Sequence, residues 1–461
     1  MLNDKIFRSY DIRGIYPSQL NEKTAYLIGR AFAKFIRKKS KAKNLKIVVG
    51  RDNRLSSVSL FRHLKKGLLQ EGAEIIDIGL SSTPRLYWAC SHFRFQGGVQ
   101  ITASHNPPEY NGFKLVGKNS TPIGAQNGLK EIKKIALLGL KEKKGDLGKK
   151  IVKKKTTLSS YINFNLKLAG LKEKKSLEKL KGVKIVFDTA NGVAGIEIKE
   201  LIKKIPSRSW HLFAELLGSF PNHGPDPLQK ENLKILKEKI KAKKADLGVA
   251  FDGDGDRIIF LDEKGNTAPG DFITALVSKI ILEKKPGQKI LYDIRSSNIV
   301  PETIKKYKGL PLSSKIGHTF IKNKMQSENI AFAGEFSGHY YLREHYFCEA
   351  PLFVLLTVLK ELAQKKKPFS QIMKEFSLYQ RTEEINFKAK NKEKILKELG
   401  KKFRGGKASR LDGLRVDFPD WWFIARPSGT EDLLRLCIEA KTKKILLQKK
   451  KEIITLIKKL A

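Results

Sequence analysis

Hydrophobic and polar positions follow two rhythms along the first three quarters of the chain: short apolar runs, and longer segments with helical spacing. The short runs predict strands over residues 46–50, 74–79, 97–103, 184–187, 245–251, 289–293 and 330–333. The first long segment predicts a helix over residues 22–38. Strands that alternate with helices in this order indicate parallel sheets covered by helices.

The rhythm changes near residue 368. A strand predicted over residues 383–387 precedes a helix, and strands predicted over 413–418 and 421–425 form a hairpin. This order is typical of a separate α+β domain. A lysine-rich linker is predicted near residues 142–156, and a length of 461 residues suggests three or four domains. We therefore predict four domains, over residues 1–150, 151–250, 251–367 and 368–461.

Composition narrows the class of protein. Apolar residues make up 41% of the chain, which is enough for packed cores and excludes wholesale disorder. The start of the chain has no apolar run of signal-peptide type, and the apolar residues 350–359 are too few to span a bilayer, so they predict a buried helix. Cys90, Cys348 and Cys437 are too widely separated for a disulfide framework or a zinc pattern. We expect a cytoplasmic protein with no membrane partner.

The chain is strongly basic, with 91 Lys and Arg residues against 47 Asp and Glu residues and a net charge of +44. Such an excess of positive charge is typical of proteins that bind nucleic acid. The lysines, however, lie mostly in helix-like segments of low complexity, without the interleaved aromatic residues of a stacking platform or the spacing of a recognition helix. We expect a solvated basic surface and no specific nucleic-acid partner, with adventitious polyanion binding at low salt.

The loop after the strand predicted over residues 97–103 carries the first candidate for chemistry. Ser104 and His105 stand in it, and Pro107 and Pro108 stop the strand. Ligands of open α/β sheets collect at the carboxyl ends of strands. Taken by itself, the loop is equally typical of a serine that caps a turn. Candidates for metal binding, proton transfer and anion binding at other strand ends favour the functional interpretation.

Three further side chains accompany this loop in the first part of the sequence. Lys114 follows it closely and can reach the same pocket. Tyr10 and Arg13 precede the first predicted helix, where they are suited to contact a phosphate or a sugar. The same two residues are equally typical of an N-terminal arm docked on the fold, and the sequence alone leaves both interpretations open.

The strand predicted over residues 245–251 leads into a loop with three carboxylates at alternate positions, Asp252, Asp254 and Asp256, followed by Arg257. Carboxylates separated by glycines can fold around one hard cation, and oxygen ligands suit Mg²⁺ or Ca²⁺. A calcium EF-hand is disfavoured because Arg257 stands where Gly is required and no helix flanks the loop. An aspartyl-phosphate hydrolase would use the first Asp as nucleophile, whereas the third carboxylate and Arg257 favour a metal-binding role alone.

Two more loops carry groups suited to a phosphorylated ligand. Residues 334–339 place three polar side chains at alternate positions between glycines, where they offer hydroxyl recognition and proton transfer: Glu335, Ser337 and His339. Residues 426–431 combine a guanidinium, two hydroxyls and a glycine that frees backbone amides, with a second guanidinium shortly after: Arg426, Ser428, Gly429, Thr430 and Arg435. The second loop predicts a phosphate cradle, although an ordinary hairpin exit would have a similar composition.

Together these four loops resemble those of the α-D-phosphohexomutases, over essentially the whole chain. Residues 7–14 and 334–339 are most similar to the phosphomannomutase/phosphoglucomutase branch. The resemblance implies an α/β fold of three related mixed-sheet α/β domains plus a C-terminal α+β domain like the TATA-binding protein, around a central cleft. It also implies an isomerase that interconverts hexose 1-phosphate and 6-phosphate of mannose or glucose. In this family the phosphoryl group moves by way of a phosphoserine and a hexose 1,6-bisphosphate.

The resemblance also implies roles for particular residues of this chain. Phosphorylated Ser104 would carry the phosphoryl group, and Mg²⁺ would be bound by Ser104, Asp252, Asp254 and Asp256. Further catalytic roles are implied for Lys114, Arg13, Arg257, His318 and His339. Substrate contacts are implied for Tyr10, Arg295, Glu335, Ser337, His339, Arg426, Ser428, Gly429, Thr430 and Arg435. A hexose 1,6-bisphosphate is expected as activator, a phosphosugar as partner, and a monomer or homodimer as the assembly.

Three departures from that branch leave the preferred hexose open. Arg295 stands where Lys is common, which keeps the charge but changes its geometry. Phe336 replaces a common Met. The stretch Cys348-Glu349-Ala350-Pro351 departs from an acidic Asp-Asp-Gly stretch, a change expected to alter the wall of the cleft or a domain contact.

Two other functions also stay open at this point. One is a phosphoglucosamine mutase, although that branch usually begins with a different N-terminal arm. The other is a non-catalytic polyanion- or RNA-binding protein built on a mutase scaffold. An idle scaffold would be free to lose Ser104 or one of the three aspartates of the loop, and this chain keeps all four residues.

Overall fold

The computed structural model describes residues 2–138, 151–428 and 432–460, and its chain divides into two compact units. The first unit comprises residues 1–268, 322–332 and 337–370, and the second comprises residues 269–321, 333–336 and 371–461. Among the described residues, no helix combines the length and the apolar character that crossing a bilayer requires.

Helices and strands alternate along most of the described residues. The helices are α1 (Glu22–Ser40), α2 (Ser57–Gln70), α3 (Thr83–His92), α4 (Leu129–Leu137), α5 (Leu158–Leu168), α6 (Lys174–Glu178), α7 (Ala194–Ile202), α8 (Lys234–Lys243), α9 (Gly270–Lys284), α10 (Ile299–Lys306), α11 (His318–Glu328), α12 (Pro351–Lys365), α13 (Phe369–Lys374), α14 (Lys392–Lys402) and α15 (Lys443–Leu460). The strands are β1 (Ile12–Ile15), β2 (Leu45–Arg51), β3 (Ala73–Leu80), β4 (Gly97–Ile101), β5 (Tyr110–Val116), β6 (Val152–Lys154), β7 (Lys184–Asp188), β8 (Arg208–Leu212), β9 (Leu247–Phe251), β10 (Ile258–Leu261), β11 (Thr267–Ala268), β12 (Lys289–Asp293), β13 (Leu310–Ser314), β14 (Phe332–Gly334), β15 (Tyr340–Leu342), β16 (Cys348–Glu349), β17 (Gln380–Arg381), β18 (Ile385–Lys388), β19 (Lys407–Ser409), β20 (Leu414–Asp417), β21 (Trp421–Pro427) and β22 (Leu433–Ala440).

The first sheet of the first unit has six strands in the order β1-β5-β4-β2-β3-β6. The pairs of β2 with β3 and β4 are parallel, whereas β5 runs antiparallel to β1 and β4. The sheet is therefore mixed, and the strands predicted over residues 46–50, 74–79 and 97–103 are confirmed as β2, β3 and β4. Because β2 and β4 are parallel neighbours, the loops that follow them leave the same edge of the sheet.

One local prediction for this part of the chain, the lysine-rich linker near residues 142–156, is partly wrong. The predicted linker includes residues 152–154, which form β6; this strand pairs in parallel with β3 at the edge of the sheet, and all three of its residues are exposed. An exposed edge strand needs no buried face, so lysines replace the apolar alternation that would have marked it. Residues 142–150 of the predicted linker lie outside the described residues. Ser56, the residue before α2, makes no side-chain capping bond, and its hydroxyl accepts from Asn111 Nδ2 at 2.8 Å.

The second sheet of the first unit has the order β11-β10-β9-β7-β8. Its core strands β7 and β9 are parallel, and they confirm the strands predicted over residues 184–187 and 245–251. β9 is wholly buried and turns back into the antiparallel strand β10. The three-aspartate loop, residues 252–257, thus joins two strands. This connection excludes the EF-hand alternative, which needs a helix on each side of the loop.

The C-terminal part of the second unit is an antiparallel sheet in the order β17-β22-β21-β20-β19, with β18 also paired to β22. The hairpin of β20 and β21 confirms the strands predicted over residues 413–418 and 421–425. Buried side chains of α14 and α15, among them Leu399 and Ile453, form one core with Phe423 and Leu436 of the sheet. The predicted α+β organisation of this region is therefore confirmed.

Elsewhere in the second unit, β12 and β13 pair in parallel, as the alternation of strands and helices predicted. The apolar segment predicted over residues 350–359 is confirmed as the buried helix α12 of the first unit. The antiparallel strands β15 and β16 precede α12 in the chain.

An aromatic group in the first unit encloses a fully buried histidine, His345. Its ring centroid lies 5.8 Å from that of Tyr161 and 5.7 Å from that of Phe164. Within the described part of the chain, neither ring nitrogen of His345 has a hydrogen-bond partner. Burial lowers the pKa of His345 to about 3, so the imidazole stays neutral in the folded chain at ordinary pH.

We expect His345→Phe to make the chain less sensitive to mild acid. The unfolded chain binds a proton at His345 below pH 6.5 and the folded chain does not, so the native protein loses stability as the pH falls. Between pH 7.5 and 5.5 this loss amounts to about 1.4 kcal/mol, and the phenyl ring removes it. Urea unfolding of both proteins at the two pH values measures the difference between them. An equal pH dependence of the two proteins would contradict the prediction.

Candidate active site

The first candidate, Ser104, lies three residues beyond the end of β4 and is buried. Its backbone has φ of +53°, a left-handed conformation that a residue other than glycine adopts only where the surrounding structure holds it. Its hydroxyl donates to Asp252 Oδ2 at 2.8 Å and lies 3.3 Å from His105 Nδ1. Burial, with Arg257 and Arg13 nearby, lowers the pKa of His105 well below its usual value, so that ring is neutral. The geometry therefore directs the hydroxyl of Ser104 toward the three-aspartate loop.

Three buried carboxylates form a cluster beside this hydroxyl. One oxygen of each of Asp252, Asp254 and Asp256 lies within 4.8 Å of the others. The backbone N–H groups of Asp256 and Arg257 donate to Asp252 Oδ1 at 3.0 and 3.1 Å, which holds the loop in its turn. Oxygen-only donor sets of this kind suit hard divalent cations. The cluster is therefore a candidate metal site.

The two oxygens of Asp254 have different surroundings. Oδ2 accepts from the hydroxyl of Thr83 at 2.5 Å and from Lys114 Nζ at 2.7 Å. Oδ1 is buried and has no hydrogen-bond partner among the described residues. A buried carboxylate oxygen without a donor costs free energy, and a cation would provide its missing partner. The donor set therefore fits a divalent metal ion.

The charges of the cluster act on one another. Burial and the neighbouring carboxylates of Asp256 and Asp254 raise the pKa of Asp252 well above its usual value. Burial alone would raise the pKa of Asp256, but Lys114 and His339 outweigh it and lower that pKa well below the usual value. Burial would likewise lower the pKa of Lys114, yet the carboxylates of Asp254 and Asp256 raise it. Lys114 is therefore a buried cation that balances part of the negative charge of the cluster.

Residues 337–339 border the same cluster. His339 Nε2 lies 3.1 Å from Asp256 Oδ1, and its Nδ1 lies 3.1 Å from the hydroxyl of Ser337. Arg257 Nε is 3.4 Å from His339 Nε2, and its NH1 is 3.5 Å from Asp226. A backbone hydrogen bond of 3.0 Å from Ile258 N to Gly338 O holds β10 and this segment together. The structure thus brings Ser337, His339 and Arg257 to the carboxylates.

Arg13 lies on β1, beside the strand β5 that carries Lys114. Its NH2 donates to Asp11 Oδ2 at 2.5 Å, and its NH1 donates to the side chain of Asn106 in the Ser104 loop. Burial would lower the pKa of Arg13, but the carboxylate of Asp11 raises it, so the guanidinium is firmly charged. Tyr10 is half-buried in the bend before β1. The N-terminal segment is therefore both docked on the fold and placed against the loop of Ser104.

The second unit holds a separate basic group. Arg295 makes a two-pronged contact with Asp293, from Nε to Oδ1 at 3.1 Å and from NH2 to Oδ2 at 2.8 Å. Arg426 and Arg435 face each other in the register of β21 and β22. Burial, together with the charges of Arg295 and Arg435, lowers the pKa of Arg426. Like charges directly opposite on paired strands are unfavourable, and the contact of Arg435 NH1 with Glu384 Oε1 at 3.3 Å offsets this in part; the guanidinium of Arg426 is suited to an anion.

The other predicted residues of the second unit are placed as follows. Glu335 is buried, and the next residue, Phe336, donates its N–H to Asp293 Oδ2 at 2.8 Å, so Asp293 positions both Arg295 and this segment. His318 begins α11, and Ser428 follows β21 with its N–H bonded to Leu433 O at 2.8 Å. Gly429 and Thr430 lie outside the described residues.

Two residues beside the candidate site, Thr83 and Arg54, were given no role from the sequence. Thr83 begins α3, and its N–H donates to Asp254 O at 2.9 Å in addition to the hydroxyl contact above. Arg54 lies in the loop after β2 and contacts the backbone of the Ser104 loop. Ser82, Thr83 and Pro84 are typical of a helix start, and this signal could have been found in the sequence. The contact of Thr83 with Asp254 could not, because the two residues are 171 positions apart.

We expect Thr83→Val to weaken divalent-cation binding about tenfold, because residues that orient a metal ligand typically contribute 10–100-fold to affinity. Valine keeps the shape of the side chain and removes the donor to Asp254 Oδ2. Calorimetric titration with Mn²⁺ in the absence of sugar measures the effect. Thr83→Ser keeps the hydroxyl and should bind Mn²⁺ with close to the affinity of the unmodified chain. Equal affinities for the valine and serine variants would show that the hydroxyl does not orient Asp254.

The fold and the site define a class of protein: multi-domain α/β chains in which a loop serine faces a carboxylate cluster suited to a divalent cation. Models of the phosphoglucomutase/phosphomannomutase α/β/α domains I, II and III match residues 4–139, 160–265 and 269–379. The model of the C-terminal domain of the same family matches residues 384–456. The chain belongs to the phosphoglucomutase/phosphomannomutase family.

Individual relatives agree with this assignment. The phosphomannomutase of Methanocaldococcus jannaschii is 39% identical over 457 residues, which covers 99% of this chain and 98% of that protein. The phosphomannomutase/phosphoglucomutase of Pseudomonas aeruginosa is 36% identical over 445 residues, with 95% and 92% covered. The solved structure of a phosphoglucomutase/phosphomannomutase family protein from Burkholderia thailandensis has a TM-score of 0.88 and 30% identity, and covers 100% of this chain and 98% of its own.

These findings confirm the resemblance and the predicted fold class, three α/β domains followed by a C-terminal domain of mostly antiparallel strands with helices. The exact domain boundaries and the roles of individual site residues stay predictions.

Proposed function

We propose that this chain is a phosphohexomutase that interconverts hexose 1-phosphate and hexose 6-phosphate of mannose, glucose or both. The observation that carries the proposal is the contact of 2.8 Å between the hydroxyl of Ser104 and Asp252, inside a buried cluster that also holds a cationic Lys114. Family membership supports it, as do the names of the relatives, phosphomannomutase and phosphomannomutase/phosphoglucomutase.

Phosphoryl transfer depends mainly on positioning and on electrostatic stabilisation of the moving group. Mg²⁺ bound by Asp252, Asp254 and Asp256 would supply a Lewis acid that offsets the negative charge of the phosphoryl oxygens. Lys114 adds a second positive charge beside these carboxylates, and Arg13 adds a third through its contact with Asn106 in the Ser104 loop.

The proposed reaction has two halves, and the second returns the phosphoryl group and the proton that the first transfers. In the first, the bond from phosphorus to Ser104 Oγ breaks as the free hydroxyl of a hexose monophosphate bonds to phosphorus, which gives a hexose 1,6-bisphosphate. The proton of that hydroxyl passes to His339, whose ring is held between Ser337 and Asp256. In the second half, the other phosphoryl group moves to Ser104 Oγ and the proton returns to the departing hexose oxygen. A trace of hexose 1,6-bisphosphate therefore activates an unphosphorylated chain.

We assign the phosphate that is not transferred to the basic group of the second unit. Arg426 and Arg435 oppose each other across β21 and β22, and Arg295 is close enough to affect the titration of Arg426. Two guanidinium forks match the geometry of a phosphate group. Glu335, Ser337 and His318 are the candidate contacts of the sugar, and Ser428, Gly429 and Thr430 complete the proposed phosphate loop.

The test is to incubate the purified chain with Mg²⁺ and a trace of glucose 1,6-bisphosphate. Mannose 1-phosphate, glucose 1-phosphate and glucosamine 1-phosphate are offered separately, and formation of the 6-phosphate is measured. We expect turnover of the first two sugars. Turnover of glucosamine 1-phosphate alone would show that the chain is a phosphoglucosamine mutase instead. A folded chain inactive on all three, with salt-dependent binding to RNA, would support the polyanion-binding alternative raised by the net charge of +44.

A further inference from the structure

Arg54, to which no role was assigned from the sequence, is buried against the loop of Ser104 with only 1% of its surface exposed. Its guanidinium donates to three backbone carbonyls of that loop and to the carbonyl of Tyr110, the first residue of β5. NH2 donates to the carbonyl oxygens of Ser104 at 2.8 Å and Asn106 at 2.6 Å, and NH1 donates to those of Pro107 at 2.6 Å and Tyr110 at 3.0 Å. One side chain therefore supplies hydrogen-bond donors to backbone carbonyls that lie outside the strand pairing of β4.

The arrangement needs an arginine in particular. Residues 107 and 108 are prolines without N–H groups, and of the four carbonyls that of Pro107 also accepts from the backbone N–H of Tyr110, at 3.1 Å. A guanidinium carries five N–H groups in a fixed planar fork, whereas the ammonium of lysine has three donors on one atom. A lysine at position 54 would reach at most part of the set.

The orientation of Arg54 is itself fixed. Its Nε donates to Asp52 Oδ2 at 3.2 Å, and Asp52 Oδ1 accepts from the hydroxyl of Ser57 at 2.6 Å. The ring of Phe220 lies over the guanidinium, 5.0 Å from ring centroid to Cζ. Because β2 and β4 are parallel neighbours, the loop of Arg54 and the loop of Ser104 leave the sheet side by side.

We propose that Arg54 is a positioning residue for the phosphoryl carrier. It holds the left-handed backbone of Ser104 through its carbonyl, and so keeps the hydroxyl within hydrogen-bond distance of Asp252. Without the fork, the loop relaxes among several conformations and the reactive one is less populated. Such a loss slows the chemical step and leaves substrate binding nearly unchanged, since Arg54 is buried and its Nε, NH1 and NH2 all donate to protein oxygens. The inference rests on the proposed function.

The first test compares Arg54→Lys with the matched control Arg30→Lys. Arg30 is an equally buried arginine of the same sheet domain, paired with Glu71 at 2.7 Å. We expect Arg54→Lys to lower kcat about 100-fold, the usual cost of a misplaced reacting group, with KM for the hexose phosphate within about threefold. Arg30→Lys should lower Tm and keep kcat. A kcat of folded Arg54→Lys within threefold of the unmodified chain would overturn the proposal, as would a similar loss of kcat in the control.

A second variant covers the case in which Arg54→Lys does not fold. Asp52→Asn keeps the guanidinium and removes the charge that orients its Nε. We expect about a tenfold loss of kcat with KM maintained, and an unchanged kcat in this folded variant would overturn the proposal.

A partial reaction separates this inference from the proposed function. Glucose 1,6-bisphosphate is mixed with each protein, and the fraction phosphorylated at Ser104 is followed in time by intact-protein and peptide mass spectrometry. If the unmodified chain is never phosphorylated at Ser104, the proposed function fails. If it is phosphorylated and Arg54→Lys is phosphorylated at the same rate, the positioning role alone fails. We expect phosphorylation of both, with the variant slower by about the same factor as its kcat.

Discussion

Ser104→Ala should lower kcat of the mutase reaction by about four orders of magnitude or more, a loss typical of removing a nucleophile. The variant removes one oxygen atom, and with it the only bond through which this position can hold a phosphoryl group. The remaining contacts of the loop stay, including the bond from Ser104 N to Thr102 Oγ1 at 2.9 Å, so the fold should be preserved. Turnover of glucose 1-phosphate with Mg²⁺ and glucose 1,6-bisphosphate measures the effect.

The matched control is Ser91→Ala. Ser91 is a buried serine of α3 that donates to the hydroxyl of Ser120 at 2.8 Å, away from the carboxylate cluster. We expect this variant to lose stability of about 1 kcal/mol from the broken hydrogen bond and to keep its kcat within about threefold. A Ser104→Ala variant that keeps a tenth of the activity would show that the phosphoryl group is not carried at this position.

Asp254→Asn should lower the affinity for a divalent cation at least about 100-fold and abolish detectable turnover. The change removes a formal charge from a buried donor set, and this loss exceeds that of an orienting residue such as Thr83. The carboxylate oxygen Oδ1, which is buried and lacks a partner among the described residues, is the atom we expect to bind the cation. Calorimetric titration with Mg²⁺ and with Mn²⁺, without sugar, measures affinity independently of activity.

Asp262→Asn is the control for this experiment. Asp262 is a buried aspartate in the turn after β10, and its Oδ1 accepts from the backbone N–H groups of Lys264 at 2.9 Å and Asn266 at 2.7 Å. The amide oxygen of asparagine can accept the same two bonds, so cation affinity should not change. If Asp254→Asn bound cations as tightly as the unmodified chain, the cluster would be a purely structural partner of Lys114.

One departure from the family pattern has a structural explanation. Glu349, which stands in place of an acidic stretch, is buried in the first unit and accepts from Lys322 Nζ at 3.0 and 3.1 Å. The same ammonium lies 4.1 Å from the ring centroid of Tyr87. Neutralising Glu349 would remove the carboxylate that balances the buried ammonium of Lys322, a costly change. At this departure from the family pattern, Glu349 therefore forms an internal ion pair with Lys322, which the sequence did not indicate.

Most of the local structure followed from the hydrophobic pattern. The strands β2, β3, β4, β7, β9 and β12 lie within about two residues of their predicted bounds, because buried strands of a parallel sheet read as short apolar runs. The exposed edge strand β6 did not, since an edge strand with lysines has no apolar face to read. Register and strand order were not predictable, because apolar runs of similar length are interchangeable as partners.

The candidate site divides in the same way. The sequence by itself determined where the reactive loops fall. Pro107 and Pro108 keep the segment after β4 from continuing as a strand, and Gly253 and Gly255 interrupt the segment after β9, so Ser104 and the three aspartates stand near strand ends. Only the tertiary structure decided that Ser104 contacts Asp252 across 148 residues, that Lys114 contacts Asp254 across 140, and that Arg54 donates to three carbonyls of the Ser104 loop. The physical reason is that turn and strand propensities act over a few residues, whereas contacts between loops depend on which strands become neighbours in the sheet.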